Sequence, residues 1–239
     1  METKKIININ VSNVDIEQAT EEIFSLCDAP EASYVVTPNA EIAQRAYEDK
    51  EFEEIINNAS VVIPDGIGVI IASKIVKNKL KGKLAGVELA AELLRKAGSR
   101  KFVFFGAGEG VAELAAQKVR EKYPDIQIIK TINGYFENDE EKIKELAQLD
   151  ADIIFVCLGA PKQEYFMAKA VSSLKRGVMI GLGGTLDVLA GTVKRSPKIF
   201  VKLNIEWLYR ITMQPKRLIR AGKLPKYILT ALKYRFLKK

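Results

Sequence analysis

The chain has 239 residues, of which 48% are apolar and 28% are charged, and its formal net charge is +7. That length and apolar fraction are typical of a folded domain with a buried core, which excludes a disordered chain. The sequence contains no histidine, which excludes Ser-His-Asp and Cys-His nucleophiles, and two cysteines, Cys27 and Cys157, are too few for a disulfide framework.

Short β-branched runs alternate with helical patterns along the first 195 residues. Strands are predicted at 6–9, 34–36, 61–63, 102–105, 126–131, 153–157 and 178–180. Helices are predicted at 16–26, 40–47, 52–58, 68–77, 87–97, 111–122, 139–148 and 164–171. Strands separated by helices of this length indicate βαβ units. We therefore expect an α/β domain over residues 1–195, with a doubly wound, mostly parallel, Rossmann-like sheet.

Residues 196–239 are predicted to form a basic helical appendage. The segment from Lys194 to Lys239 has 14 basic residues and one acidic residue, whereas the first 193 residues have 23 basic and 29 acidic residues. Two stretches, 199–211 and 227–237, place apolar residues at helical spacing, the second with Ile228, Leu229, Leu232 and Phe236. Such faces could remain solvated, pack on the body or a sister subunit, or bind an anionic membrane, and the basic flanks favour the membrane.

No segment reaches the roughly 20 uninterrupted apolar residues of a membrane-spanning helix. Asp65 and Asp187 interrupt the two most apolar regions, and the first ten residues lack a signal-peptide core. We expect a cytoplasmic protein that is soluble or peripheral to a membrane, with both cysteines buried and reduced.

Polar or glycine-rich motifs follow nearly every predicted strand. Because ligands of parallel sheets bind beyond the carboxyl ends of the strands, six such loops on one edge predict a ligand site there. The loops are Thr37-Pro38-Asn39, Pro64-Asp65-Gly66-Ile67-Gly68, Gly106-Ala107-Gly108-Glu109-Gly110, Asn133-Gly134-Tyr135, Gly159-Ala160-Pro161-Lys162-Gln163-Glu164 and Gly181-Leu182-Gly183-Gly184-Thr185-Leu186-Asp187.

The loop from Gly106 to Gly110 resembles a dinucleotide fingerprint, since glycines let backbone N–H groups approach a diphosphate. Its spacing is G-x-G-x-G rather than G-x-G-x-x-G, and the following strand does not end in an acidic residue. The chain also lacks the G-x-x-x-x-G-K-[ST] loop of phosphoryl-transfer enzymes. A nucleotide of another kind, such as a nucleotide-sugar, fits this loop better than NAD does.

Three polar residues in these loops have both structural and chemical interpretations. Asp65, between Pro64 and Gly66, could act as a general base, a metal ligand or a turn residue. Asn39 could cap the helix that begins at residue 40, and Asp187 could cap a short helix after Gly183 and Gly184.

The combination of loops resembles the motifs of the WecG/TagA/CpsF glycosyltransferase family, and most of all its TagA type. The resemblance extends in order along nearly the whole chain. It rests on the loops at 37–39, 64–68, 159–164 and 181–187 and on Gly191, Arg195-Ser196-Pro197, Glu206-Trp207-Leu208-Tyr209-Arg210, Pro215-Lys216-Arg217 and Arg220.

The resemblance implies an inverting, metal-independent enzyme that transfers N-acetylmannosamine from UDP-ManNAc to GlcNAc on undecaprenyl diphosphate, a step of wall teichoic acid synthesis. It implies no cofactor and no nucleic-acid partner. Asp65 would be the catalytic base. The implied substrate-binding residues are Thr37, Asn39, Lys83, Gln163, Arg210, Arg217 and Arg220, and the implied UDP-binding residues are Gly106, Gly108, Gly134, Tyr135, Gly183, Gly184 and Asp187.

One departure concerns Lys83, where the family often has arginine, since lysine cannot form a two-pronged contact with phosphate. The implied partners are a UDP-sugar, a lipid-linked diphosphate acceptor and the anionic inner face of the cell membrane, and a homo-oligomer is possible. Two alternatives stay open: a relative that uses UDP-glucose or UDP-ManNAcA, and a nucleic-acid-binding protein that uses the basic tail. Binding that falls steeply with salt would favour the second alternative.

Overall fold

The computed structural model describes residues 1–194, 196–197, 200 and 222–237. Its strands are β1 (Thr3–Ile6), β2 (Ile9–Ser12), β3 (Ser33–Val36), β4 (Val61–Val62), β5 (Lys101–Gly106), β6 (Gln127–Ile132), β7 (Ile153–Cys157) and β8 (Val178–Gly181). Strands β3 to β8 form one parallel sheet in the order β4-β3-β8-β7-β5-β6.

Helices cover both faces of this sheet. They are α1 (Ile16–Cys27), α2 (Ala40–Glu48), α3 (Lys50–Asn57), α4 (Ile67–Ile75), α5 (Gly86–Arg95), α6 (Val111–Lys122), α7 (Asp139–Ala147), α8 (Lys162–Ala170) and α9 (Thr185–Ala190), followed by a C-terminal helix (Lys223–Leu237). The predicted α/β fold with a parallel sheet is confirmed, and the predicted helices over residues 16–171 agree with the observed ones to within two residues at each end.

The alternation of side chains along the strands divides the apolar core into two clusters. In β5, Phe102 and Phe104 point into the cluster beneath α1, α5, α6 and α9, whereas Val103 and Phe105 point into the cluster beneath α2, α3, α4 and α8. All four side chains are fully buried. Strands buried on both faces explain why the sequence shows continuous apolar runs rather than alternation.

The predicted strand at 6–9 is wrong. Ile6 ends β1 and Ile9 begins β2, and the two strands form an antiparallel hairpin that is separate from the main sheet. Ile7 lies in the turn with φ of 61° and is nevertheless buried. Three isoleucines within four residues resemble a strand in the sequence, but here they turn so that all of them contact the core.

The C-terminal helix packs against α2 and α4. Tyr227 and Ala231 are fully buried in this contact, and the hydroxyl of Thr230 donates a hydrogen bond to Gln44 Oε1 at 2.9 Å. These buried residues do not belong to the apolar face that the sequence predicts for this helix. Three residues of that predicted face, Leu229, Leu232 and Phe236, stay 58%, 37% and 69% exposed. The helix therefore presents its apolar stripe away from the body.

Most of the other appendage predictions fall on residues that are not described. The segment 199–211 lies outside the described residues apart from Phe200, and so does residue 195, where the domain boundary was predicted. Among the helices that the structure describes, none is long and apolar enough to cross a bilayer.

Candidate functional site

A cavity of about 440 Å³ opens at the carboxyl edge of the sheet. Its walls come from the loops after β3, β4, β7 and β8, which are strands from one half of the sheet, and from the start of the C-terminal helix. This volume lies in the range of small-molecule sites. The predicted site residues that line it are Thr37, Asn39, Asp65, Lys83, Gln163, Gly183, Gly184 and Asp187.

Backbone hydrogen bonds hold the loops after β3 and β4 side by side beyond the sheet. The N–H of Asp65 donates to the carbonyl of Pro38 at 3.0 Å, and the N–H of Leu84 donates to the carbonyl of Pro64 at 2.9 Å. These bonds continue the strand pairing into the cavity wall. They bring Asp65 and Lys83, which are 18 positions apart, onto neighbouring segments of one wall.

Asp65 lies three residues beyond Val62, the end of the edge strand β4, and is half-buried. The next residue, Gly66, has φ of 87°, a backbone conformation that favours glycine, and α4 begins directly after it. This sharp exit turns the chain away from the strand and leaves the Asp65 side chain on the cavity wall. A carboxylate in this position can accept a proton from a bound hydroxyl group.

Thr37 and Asn39 are both held by local hydrogen bonds while lining the cavity. The Thr37 hydroxyl is buried and donates to the Gly181 carbonyl at 2.7 Å, which ties the end of β3 to β8. Asn39 Oδ1 accepts hydrogen bonds from the N–H groups of Glu41 and Ile42, so the predicted capping role is confirmed. The cap uses the oxygen of Asn39, so its amide nitrogen can donate to a ligand in the cavity.

Gln163 lies in the first turn of α8 and is 2% exposed. Its Oε1 accepts a hydrogen bond from the Gly183 N–H at 3.0 Å, and its Nε2 donates to Oε1 of Glu164 at 2.8 Å. Glu164 is itself fully buried, and this burial raises the pKa of its carboxyl to about 7.

Gly183 and Gly184 form the turn between β8 and α9. Gly184 is the residue before the helix, and Asp187 is the third residue of α9, half-buried on the cavity wall. The predicted capping role of Asp187 is therefore wrong, because α9 begins at Thr185, three residues earlier than a cap at position 187 requires. Asp187 instead lines the cavity.

The four remaining predicted UDP-binding residues, Gly106, Gly108, Gly134 and Tyr135, do not line the cavity. They follow β5 and β6, which form the other half of the sheet. The N–H of Gly134 donates to the Ala107 carbonyl at 2.9 Å, so the two loops contact each other, and Tyr135 is 79% exposed. These residues form a second group beside the cavity.

Arg210, Arg217 and Arg220 lie outside the described residues. Cys157 lines the cavity, as the sequence analysis did not foresee, but burial raises the pKa of its thiol to about 12, so the thiol stays protonated at neutral pH. Within the described part of the chain, no three His, Cys, Asp or Glu side chains form a group that could hold a metal ion.

The sequence analysis also assigned no role to Leu224, which lines the cavity, or to Glu164, which is bonded to Gln163 but does not itself line the cavity. Leu224 lines the cavity from the C-terminal helix, and a Cβ atom added at Gly68 would lie 2.6 Å from its Cδ1. Glu164 stands in a motif that the sequence analysis quoted, but without an assigned role. It lies in the polar first turn Lys162-Gln163-Glu164 of α8, so the sequence gives no signal that its side chain is buried.

Comparison with known proteins places this arrangement in a family. The model of the glycosyl transferase WecG/TagA/CpsF family matches residues 4–239. A Bacillus subtilis protein is 34% identical over 236 residues, which cover 98% of this chain and 92% of the relative. A Bacillus spizizenii protein is 32% identical over 237 residues, with the same 98% and 92% coverage.

A Staphylococcus aureus protein is 36% identical over 225 residues, which cover 92% of this chain and 88% of the relative. All three relatives are named N-acetylglucosaminyldiphosphoundecaprenol N-acetyl-beta-D-mannosaminyltransferase. With a family match along almost its entire length, the chain belongs to the WecG/TagA/CpsF family of glycosyltransferases.

Proposed function

We propose that the protein transfers N-acetylmannosamine from UDP-ManNAc to the 4-hydroxyl group of GlcNAc on undecaprenyl diphosphate, with inversion and without a metal ion. The observation that carries this proposal is a single cavity that unites Asp65 with Thr37, Asn39, Lys83 and Gln163 in a member of this family. The names of the relatives supply the sugar and the acceptor.

The proposed reaction is a single displacement with Asp65 as base. The acceptor oxygen attacks the anomeric carbon while its proton passes to the Asp65 carboxylate. The bond from the anomeric carbon to the β-phosphate oxygen breaks, and UDP leaves with the electron pair. One base suffices for this route and no covalent nucleophile is needed, which suits a chain without histidine.

Negative charge develops on the departing diphosphate, and a cation beside it lowers the barrier. Lys83 lines the same cavity as Asp65, which supports this role for its ammonium group. We assign the same role to Arg210, Arg217 and Arg220, in the basic segment that connects the body to the C-terminal helix. The C-terminal helix, which follows these arginines in the chain, packs against α2 and α4 with Leu224 on the cavity wall, and this supports the assignment.

The nucleotide half of the donor is proposed to extend from the cavity towards the loops after β5 and β6. Asp187 would accept the uracil N–H, with Gly183 and Gly184 beneath the nucleotide. Helix α6, which follows the loop containing Gly106 and Gly108, packs against α9, which carries Asp187. This adjacency supports a path along which Gly134 and the exposed Tyr135 contact the nucleotide.

We further propose that the protein binds the anionic inner face of the cell membrane through its C-terminal helix. Leu229, Leu232 and Phe236 form an exposed stripe at helical spacing, and Lys233 and Arg235 stand beside it. Apolar insertion together with attraction to anionic headgroups holds such helices at a bilayer surface. The lipid-linked acceptor resides there.

The activity is tested by a transfer assay with a GlcNAc-diphospholipid analogue and a panel of UDP-sugars. We expect UDP-ManNAc to be the preferred donor, a β-linked product and an unchanged rate in EDTA. Preference for UDP-glucose or UDP-ManNAcA would overturn the donor assignment and favour the alternative within the family. A rate abolished by EDTA and restored by a divalent cation would overturn metal independence.

Membrane binding is tested by sedimentation with vesicles that contain anionic phospholipid. We expect the double variant Leu232→Glu/Phe236→Glu to lose about tenfold or more in partitioning, because two apolar contacts are replaced by charges that the surface repels. The matched control is Ile129→Glu, at a 41% exposed residue on strand β6 at the opposite edge of the sheet. Equal partitioning of the double variant, the control and the wild type would contradict the proposal.

A further inference from the structure

Glu164 is a buried carboxyl group that the proposed mechanism does not use. It is fully buried, and its Oε1 accepts the hydrogen bond from Gln163 Nε2. Within the described part of the structure, its Oε2 has no hydrogen-bond partner. Burying a carboxyl group with one oxygen unsatisfied is unfavourable, so an apolar residue of the same size would stabilise the fold better.

The groups around Glu164 only partly offset the effect of burial on its carboxyl. Hydrogen bonds from the Gln163 side chain and from its own backbone N–H lower its pKa, and of two charged side chains of α2, Glu41 raises the pKa and Arg45 lowers it. The largest effect is burial itself, which raises the pKa. A group that destabilises the fold and still occupies a site next to the cavity calls for a role in the site.

The hydrogen bonds of Gln163 suggest that role. An amide side chain has one end that accepts and one end that donates, and either end can in principle point either way. On one side the Gly183 N–H can only donate, so it selects the Gln163 oxygen. On the other side Glu164 Oε1 accepts, so it selects the Gln163 nitrogen. Two neighbours of opposite type therefore hold the amide in one orientation.

This orientation determines what Gln163 offers to a ligand. Its oxygen is occupied by Gly183, whereas its nitrogen carries a second hydrogen beyond the one donated to Glu164. Gln163 lines the cavity beside Gly159 and Gly183. The side chain is thus arranged as a donor towards an oxygen atom of the ligand and not as an acceptor.

We propose that Glu164 is a positioning residue of the transfer reaction, which holds the Gln163 amide so that its nitrogen donates to an oxygen of the bound donor substrate. The proposal rests on the proposed function for the identity of the substrate. Without Glu164, only the Gly183 N–H holds the amide, and the oxygen of the donor substrate loses a hydrogen bond of fixed direction.

The first test observes the Gln163 side-chain amide directly by NMR and needs no measurement of activity. In the protein labelled with ¹⁵N-glutamine, the Gln163 side-chain amide is assigned by its absence in Gln163→Leu. We expect its two protons to be well separated in shift and slow to exchange in the wild type. In Glu164→Met, which keeps the side-chain length and removes the acceptor, the separation should shrink and exchange should quicken. In Glu164→Gln, whose oxygen can accept the same bond, the wild-type signals should largely persist.

The second test is kinetic. Glu164→Met should lower kcat by about 10- to 100-fold, with little change in KM for the donor and no loss of thermal stability. Glu164→Gln should restore kcat to within about threefold of the wild type. Met167→Leu, a volume-conserving change of a buried residue one turn along the same helix, serves as the repacking control and should leave kcat unchanged.

A double-mutant cycle shows whether Glu164 acts through Gln163. If it does, Glu164→Met should have no further effect on kcat in the Gln163→Ala background. Additive losses would overturn the proposal, as would an unchanged amide spectrum or an unchanged rate in Glu164→Met. If the wild type transfers no N-acetylmannosamine at all, the proposed function fails, and the amide spectrum still decides whether Glu164 orients Gln163.

Discussion

The two halves of the sheet carry similar motifs at their carboxyl ends, but the cavity described above lies in one of them. The loops after β3, β4, β7 and β8 line about 440 Å³, whereas the described residues of the loops after β5 and β6 do not line it, and Tyr135 there is 79% exposed. Both halves are rich in glycine and polar residues. The motifs alone therefore do not determine where a site forms.

The difference lies in how the loops are connected. In the cavity half, side chains connect the segments: the Thr37 hydroxyl donates to the Gly181 carbonyl, and Gln163 Oε1 accepts from the Gly183 N–H. In the β5–β6 half, the two loops are connected by a backbone hydrogen bond from the Gly134 N–H to the Ala107 carbonyl. Catalysis requires side chains that hydrogen bonds hold in position, and the cavity half contains such side chains.

The largest expected effect is a loss of kcat on substitution of Asp65 in the cavity half. Asp65→Asn should lower kcat by about 10³-fold, because the proton of the acceptor hydroxyl loses its base. UDP should still bind with an affinity within about threefold of the wild type, since the carboxylate acts on the acceptor. The measurement is turnover together with calorimetric titration of UDP.

Asp125→Asn, at an exposed aspartate before β6, is the matched control and should retain full turnover. Retention of turnover in Asp65→Asn would remove the catalytic assignment. A loss of UDP binding in parallel with turnover would indicate that Asp65 holds the donor instead.

Glu164, next to Gln163 in the cavity half, should make the free energy of unfolding depend on pH. Burial raises the folded pKa of Glu164 to about 7, above the ordinary glutamate value of about 4.3, so between pH 5 and 7 the folded protein retains a proton that the unfolded chain releases. Stability therefore falls as pH rises through this window, by up to about 3 kcal/mol. Denaturant unfolding should show this slope in the wild type and lose it in Glu164→Gln. Identical slopes would contradict the burial of an ionisable group.

A smaller effect is expected at Lys83. Lys83→Ala should lower kcat by about 10- to 100-fold, because the leaving diphosphate loses a cationic partner. Lys83→Arg should stay within about threefold of the wild type, since it keeps the charge and adds a planar fork. Lys79→Ala, at an exposed lysine of the same loop, is the control. Equal rates in Lys83→Ala and the control would assign the charge stabilisation to other residues.

The smallest expected effect is on KM and concerns the β5–β6 half. Tyr135→Ala should raise KM for the UDP-sugar by about three- to tenfold and leave kcat nearly unchanged, because the ring contacts only the nucleotide. Tyr47→Ala, at an exposed tyrosine of α2, should change neither constant. An unaltered KM in Tyr135→Ala would exclude the β5–β6 loops from donor binding.

Much of the fold follows from local sequence patterns. Helix α6 and strand β7 occupy the predicted residues 111–122 and 153–157, because their apolar periodicity agrees with their burial. Most of the cavity residues were foreseen because their loops follow strands, and parallel strands share an edge. Lys83, between α4 and α5, was indicated only by the family resemblance. The hairpin at β1 and β2 was not foreseen, since Ile7 occupies the first turn position and the turn residue Asn8 stands alone between isoleucines.

The separation of the site into two groups could not be predicted from local patterns. It depends on the strand order β4-β3-β8-β7-β5-β6, in which β7 and β8 insert between β5 and β3. The role of Glu164 was equally inaccessible, because a glutamate in a helical turn gives no indication of whether it faces solvent or the core. Likewise, the exposed face of the C-terminal helix became evident only from its packing on α2 and α4.

The central claim is that the cavity half holds the donor sugar with Asp65 at its reacting carbon. The most direct test is a crystal structure of Asp65→Asn with UDP-ManNAc bound. The account predicts the anomeric carbon within about 6 Å of the substituted side chain, leaving room for one acceptor oxygen between them, with Gln163 donating to the donor. A sugar ring seated instead over the loop from Gly106 to Gly110, away from position 65, would contradict it.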